Sequence, residues 1–196
     1  MINFVLYITT TLIWGSTWLG IKLQLTQVPP ILSVGYRFFL ASAILLIYCI
    51  ITNKTLLFSR RDQAFMAVQG FSLFGLGYIM SYLATSYLTS GLVAILFSTI
   101  VITKVFFGAI SLGSPVRLRV ILGAMVGILG IGIIFYPELS SFDFSSAGGL
   151  GVILTFLSVI SASLGNILSA HNQRNDLPVI QTNAFGMTYG ALVMLG

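Results

Sequence analysis

Arg37 and Lys104 each stand inside a long apolar run of the chain. A cation at the centre of a helix in lipid costs about 2.5–3.5 kcal/mol on insertion scales, so each must face protein or a water-filled space. The chemistry open to such a group is electrostatic: it can hold an anion. Helical spacing puts Ser33 and Ala41 on the face of Arg37, and Gly108 and Ser111 on the face of Lys104, the smallest and most polar stripe of that run. At 1.5 Å per residue, Arg37 lies about 9 Å below Ile31, within snorkelling reach of the surface. Lys104 lies about 18 Å below Leu92, and snorkelling toward the opposite face is its alternative to an internal site.

A second cluster is Trp14-Gly15-Ser16-Thr17-Trp18, followed one turn later by Lys22. Small residues let a neighbouring backbone come close, and hydroxyls bond across the contact or face a solute, so packing seam and cavity lining both fit. The four acids, Asp62, Glu138, Asp143 and Asp176, all fall in loops or at helix ends, so no buried carboxylate is available as a proton relay. His171 sits beside Asn172, Gln173 and Arg174 and reads as interfacial. There is no H-E-x-x-H, no Cys pair, no G-x-S-x-G and no phosphate loop, since Gly75-Leu76-Gly77 and Gly130-Ile131-Gly132 are incomplete and deep in apolar runs. An enzyme has no convergent set of titratable groups to rest on.

The elements that must position these residues are membrane helices. Hydrophobic residues make up 57% of the 196 positions and charged residues 7%, with a mean hydropathy of +1.04, more than a soluble core of this size requires. The expected class is an all-α integral membrane protein of six to seven transmembrane helices. Six full spans are expected at about Asn3 to Ile21, Ile31 to Ile51, Ala64 to Leu83, Leu92 to Leu112, Leu118 to Tyr136 and Gly149 to Ala170. A seventh begins near Val179 and is still apolar at Gly196, without interfacial anchors, which suggests a fragment. The first run lacks a basic flank and a cleavage site, so it reads as an uncleaved helix. Cys49 is the single cysteine, which excludes an intramolecular disulfide and a cysteine metal site.

The net charge of +5 reports orientation rather than nucleic-acid binding. Lys54, Arg60 and Arg61, then Arg117 and Arg119, then Arg174 all lie at one set of connections, and Lys22 lies on the other side with Glu138 and Asp143. The N-terminus is therefore expected in the cytoplasm. That topology makes Asn53-Lys54-Thr55 a chance glycosylation match.

A shift of 148 residues lays Pro30 on Pro178 and sets Gly15-Ser16-Thr17 beside Ser163-Leu164-Gly165. Five intervening spans would invert the second copy, an inverted-repeat arrangement found in transporters. Gly123 and Gly127, continued by Gly130 and Gly132, and Gly186 with Gly190 form G-x-x-x-G patterns that favour close helix packing.

Together these motifs resemble the drug/metabolite transporter superfamily, in particular EamA-type permeases. Trp14-Gly15-Ser16-Thr17 with Lys22 resembles the first-helix motif, and Pro30 with Arg37 the second. The run from Ala84 to Ala94 resembles the connection from helix three into helix four, and Leu112-Gly113 with Gly123, Gly127 and Gly130 the glycine-rich fifth helix. Val101 departs from a frequent proline, Ser114 from a frequent glutamate, and Lys104 is unusual in helix four.

The resemblance implies a ten-helix carrier of two inverted five-helix repeats, with residues 1–136 as the first repeat and 137–196 as the start of the second. It implies alternating access for a small polar solute in a bacterial inner membrane, with no cofactor. Trp14, Thr17, Arg37, Tyr82 and Lys104 are the candidate lining residues, and Arg37 or Lys104 would hold an anionic group. The expected partners are the lipid bilayer and the solute, not nucleic acid, with a homodimer as one way to supply a missing half. The rival expectation is a truncated fragment that inserts and transports nothing.

Overall fold

The computed structural model describes residues 4–13, 29–140, 142 and 146–196. The described residues form helices α1 (Phe4–Ile13), α2 (Pro30–Ile51), α3 (Arg60–Gly70), α4 (Gly77–Thr85), α5 (Ser90–Ser98), α6 (Ile100–Leu112), α7 (Leu118–Ile134), α8 (Tyr136–Ser140), α9 (Ser146–Arg174) and α10 (Val179–Leu195). A π-helical segment, Phe71–Leu76, joins α3 to α4 as one continuous rod.

Local chemistry sets the helix ends. Pro29 precedes α2 and Pro30 opens it, where a missing N–H costs nothing. Asn53 closes it with a positive φ, its neighbour Lys54 returning an N–H to the Cys49 carbonyl at 2.8 Å. Ser59 caps α3 by accepting from the Asp62 N–H while its hydroxyl donates to the Asp62 carboxylate. Thr89 caps α5, and Gly113 ends α6 at a φ of 60°.

Four helices among the described residues are long and apolar enough to cross a membrane: Ile31–Ile51, Arg60–Thr85, Gly91–Leu112 and Ala147–Arg174. The fifth expected span is an apolar helix over Leu118–Ile134, with a turn at Phe135. Its 17 residues stand at the short end of the range that crosses a bilayer, about 17–25 residues. The first expected span is described only over Phe4–Ile13. The third and sixth run longer than hydropathy alone indicates, because polar residues at Arg60–Gln63 and His171–Arg174 continue the helices beyond the apolar runs.

The regular helix of Gly91–Leu112 is interrupted at Thr99, where α5 gives way to α6. No proline stands there. Ser98, Thr99 and Thr103 instead turn their hydroxyls back onto the carbonyls of Ile95, Leu96 and Ile100, where they compete with the backbone ladder.

Two apolar clusters hold the bundle. One joins Val34 and Phe38 of α2, Phe74, Tyr82 of α4, and Ala191 and Met194 of α10. The other joins Ala84, Leu88, Leu92 and Val93. α10 packs most extensively on α2, and antiparallel to it, with Gly35 against Leu195 at one end and Gln181 reaching the Thr55 carbonyl at the other. α9 packs on α3, the π segment, α4 and α6. α1 and most of α7 present apolar side chains outward, as lipid-facing helices do.

Of the two glycine patterns, the one in α10 is a contact. Gly186 and Gly190 meet Gly70 and Phe74. The α7 glycines Gly123, Gly127, Gly130 and Gly132 have nothing within 4 Å of a built Cβ, so their expected packing has no partner among the described residues.

Candidate functional site

The Arg37 side chain does not leave the bundle. α2 turns it toward α4, where its guanidinium carbon lies 5.2 Å from the Phe38 ring centroid and 5.3 Å from that of Tyr78. The electron-rich faces of two rings replace part of the lost hydration of the cation. Phe38 itself lies tilted against Phe74 at 5.0 Å and edge-on to Tyr78 at 4.9 Å, so the three rings form one aromatic wall. Tyr82, one turn beyond Tyr78, is buried in the same cluster. The structure thus brings Arg37 and Tyr82 together and adds Tyr78. The sequence carried a signal for Tyr78, since it lies four residues before Tyr82 on one helical face.

Guanidinium groups on aromatic faces keep their N–H edge free for a planar anion such as a carboxylate. No acid occupies any of the described spans deep enough to neutralise this cation from within its own helix or from α4.

Lys104 stands apart. It is half-buried on α6, whose neighbouring Thr103 hydroxyl pairs with that of Ser163 on α9, and Gly108 one turn on faces Ile167. No hydrogen bond or ring contact joins it to the Arg37 group among the described residues. Trp14 and Thr17 lie outside the described residues.

Polar side chains that sequence reasoning passed over line the seam between α9 and the α3–α4 rod. Ser158 donates to the Gly77 carbonyl at 2.6 Å, and Ser161 to the Ser72 carbonyl at 2.8 Å. The π turn brings the Gly77 N–H to the Ser72 carbonyl, five residues back, and Ser161 adds a second bond to that oxygen. Nothing in the residue order of Phe71–Leu76 announces the extra residue; the hydroxyl stripe of α9 was the readable half.

One end of the bundle is basic and polar. Arg174 donates to the Leu112 carbonyl and, at 3.0 Å, to the Ser114 hydroxyl. Phe65 stacks on His171 at 4.9 Å and lies under Arg61 at 5.9 Å. Phe58 meets Phe185 edge-on, and Tyr189 donates to Gln63. The loops carrying Lys54, Arg117 and Arg174 therefore gather at a single end, as the charge pattern requires.

Residues 1–136 match the EamA-like transporter family. The chain is 27% identical over 190 residues to the uncharacterized transporter YoaV of Bacillus subtilis, covering 96% of this chain and 63% of that protein. It is 26% identical over 151 residues to protein PagO of Salmonella typhimurium, covering 77% and 50%. It is 30% identical over 193 residues to the uncharacterized inner membrane transporter YedA of Escherichia coli, covering 98% and 56%. The chain thus spans between half and two-thirds of the length of these relatives. No solved structure matches it.

Proposed function

The chain belongs to the EamA-like transporter family, and from that premise we propose that it forms part or all of a secondary carrier for a small polar metabolite bearing an anionic group. The observation that carries the proposal is the Arg37 guanidinium held against Phe38 and Tyr78 inside the bundle. A cation kept within a membrane helix without a carboxylate beside it is suited to an incoming anion.

Alternating access is the proposed mechanism, with residues 1–136 as one five-helix repeat and 137–196 as the beginning of an inverted second. The antiparallel pairing of α2 with α10, each opened by proline at Pro30 and Pro178, supports the repeat. Inverted repeats place a solute site near the midplane and rock about it. Arg37 and Tyr82 are the proposed first contacts with solute. Trp14, Thr17 and Lys104 are proposed to line the remainder of the path. The inner membrane named for the Escherichia coli relative supports a bacterial inner-membrane location, and the clustered basic loops support a cytoplasmic N-terminus. A homodimer is the proposed assembly.

The test is uptake and efflux of radiolabelled amino acids and organic anions in vesicles carrying the chain, beside Arg37→Met. Transport of an anionic solute that disappears in Arg37→Met supports the site. Transport unchanged by Arg37→Met removes it. Absence of movement for every solute class favours the alternative, a membrane-inserted fragment with no transport of its own.

A further inference from the structure

Between the basic end of the bundle and the Arg37 group, three amide side chains from three helices form a ladder. Asn172 of α9 donates through Nδ2 to Gln69 Oε1 of α3 at 2.8 Å, and Gln69 donates through Nε2 to Asn183 Oδ1 of α10 at 3.4 Å. Gln69 and Asn172 are 0% and 1% exposed. Yet Asn172 Oδ1, buried with them, has no hydrogen-bond partner among the described residues. Buried amides are retained where their bonds are complete, so a ladder with one long bond and one open acceptor is an incompletely satisfied contact.

Its position gives that incompleteness a consequence. α9 and α10 follow one another in the chain but hardly touch; both pack on α3 and the π segment instead. Gln69 is therefore the side chain that bridges them. Immediately after it, Gly70 abuts the Gly186 backbone, which fixes where α10 crosses α3. α9, by contrast, rests on α3 here through the Asn172 amide and the ring contact of His171 with Phe65. Gln69 lies nine residues before Tyr78, about 13 Å along the helix. A path from the basic end to Arg37 must pass this level.

We propose that Gln69, Asn172 and Asn183 form the gate at the basic end of the bundle, closed in this structure and opened when the end of α9 swings away from α3. On opening, water satisfies the Asn172 oxygen that the closed state leaves unpaired. α10 stays seated on Gly70 and acts as the fixed side. The inference rests on the carrier reading of the bundle.

The test uses the full chain in native membranes, in a Cys49→Ser background, with a reporter thiol at Ser161→Cys. Ser161 lies on α9 beyond the ladder, buried against the π segment. Maleimides react with the thiolate, which forms only where water reaches the sulfur. Gln69→Ala and Asn172→Ala should each speed labelling of this thiol by roughly tenfold, the effect of losing one or two hydrogen bonds from the closed state. A second reporter, Ala84→Cys in the apolar cluster toward the other end, should keep its rate. Unchanged labelling at Ser161→Cys in both variants overturns the gate. Equal acceleration at both reporters also overturns it, because the whole bundle has then loosened. Uptake measured on the same membranes separates the two readings. Solute movement that depends on Arg37, with labelling indifferent to Gln69, sinks the gate alone; a labelling response in a chain that moves no solute sinks the carrier reading and the gate with it, and leaves only an amide contact that opens to water.

Discussion

Gly70 and Gly186 meet backbone to backbone: a Cβ placed on Gly70 would collide with the Gly186 carbonyl oxygen. The obstruction is main chain rather than a flexible side-chain end, so it cannot yield by rotamer change. This contact is the pivot on which α10 crosses α3, and it sits next to the Gln69 amide.

Gly70→Ala should therefore destabilise the bundle by about 2–3 kcal/mol, the upper part of the range for overpacked sites. Gly127→Ala on the open face of α7 should be neutral or stabilising by about 0.5–1 kcal/mol, through helix propensity alone. Unfolding in mixed detergent micelles compares the two. A marked loss at Gly127→Ala would mean that another helix covers α7 in the assembled protein.

Ser158→Ala removes the bond to the Gly77 carbonyl at a fully buried position. The expected cost is about 0.5–1 kcal/mol, in line with hydrogen bonds between membrane helices. Amide exchange should rise locally around Gly77, where the π turn passes into α4, since that junction loses an external tie. Exchange that rises evenly along the Arg60–Thr85 rod would contradict a local role.

Ser114→Glu places a carboxylate where Arg174 already donates at 3.0 Å. Both residues lie at the bundle surface, so the gain should be at most about 1 kcal/mol and should fade as salt is raised. Thermal melting at low and high ionic strength checks the sign and the salt dependence. A destabilised variant at low salt would show that the negative end of α6 outweighs the pair.

Lys104→Met should raise stability by about 1–2 kcal/mol, less than the full cost of a central lysine because the side chain is only half-buried. In the carrier reading, the same variant weakens or abolishes movement of an anionic solute. Paired melting and uptake curves decide it: a gain in stability with uptake intact would mark Lys104 as a surface-seeking residue.

The sequence by itself determined the class of the molecule and the positions of most helices, because hydropathy is a property of continuous runs and lipid demands about 20 apolar residues in a row. It determined the basic end as well, since the Lys and Arg residues of alternate loops must share a side. The arginine worth watching was also visible, as a lone cation costly to bury. Only the tertiary structure decided what those residues touch. Two glycine patterns look alike on paper, yet Gly186 and Gly190 meet Gly70 and Phe74 while Gly123 and Gly127 meet nothing among the described residues. Gln69, Asn172 and Asn183 are scattered polar residues until the helices cross, and Arg37 is an isolated charge until α4 turns Tyr78 beneath it. Such contacts join positions about forty to more than one hundred residues apart and depend on crossing geometry and on a π turn, neither of which any short window of residues encodes.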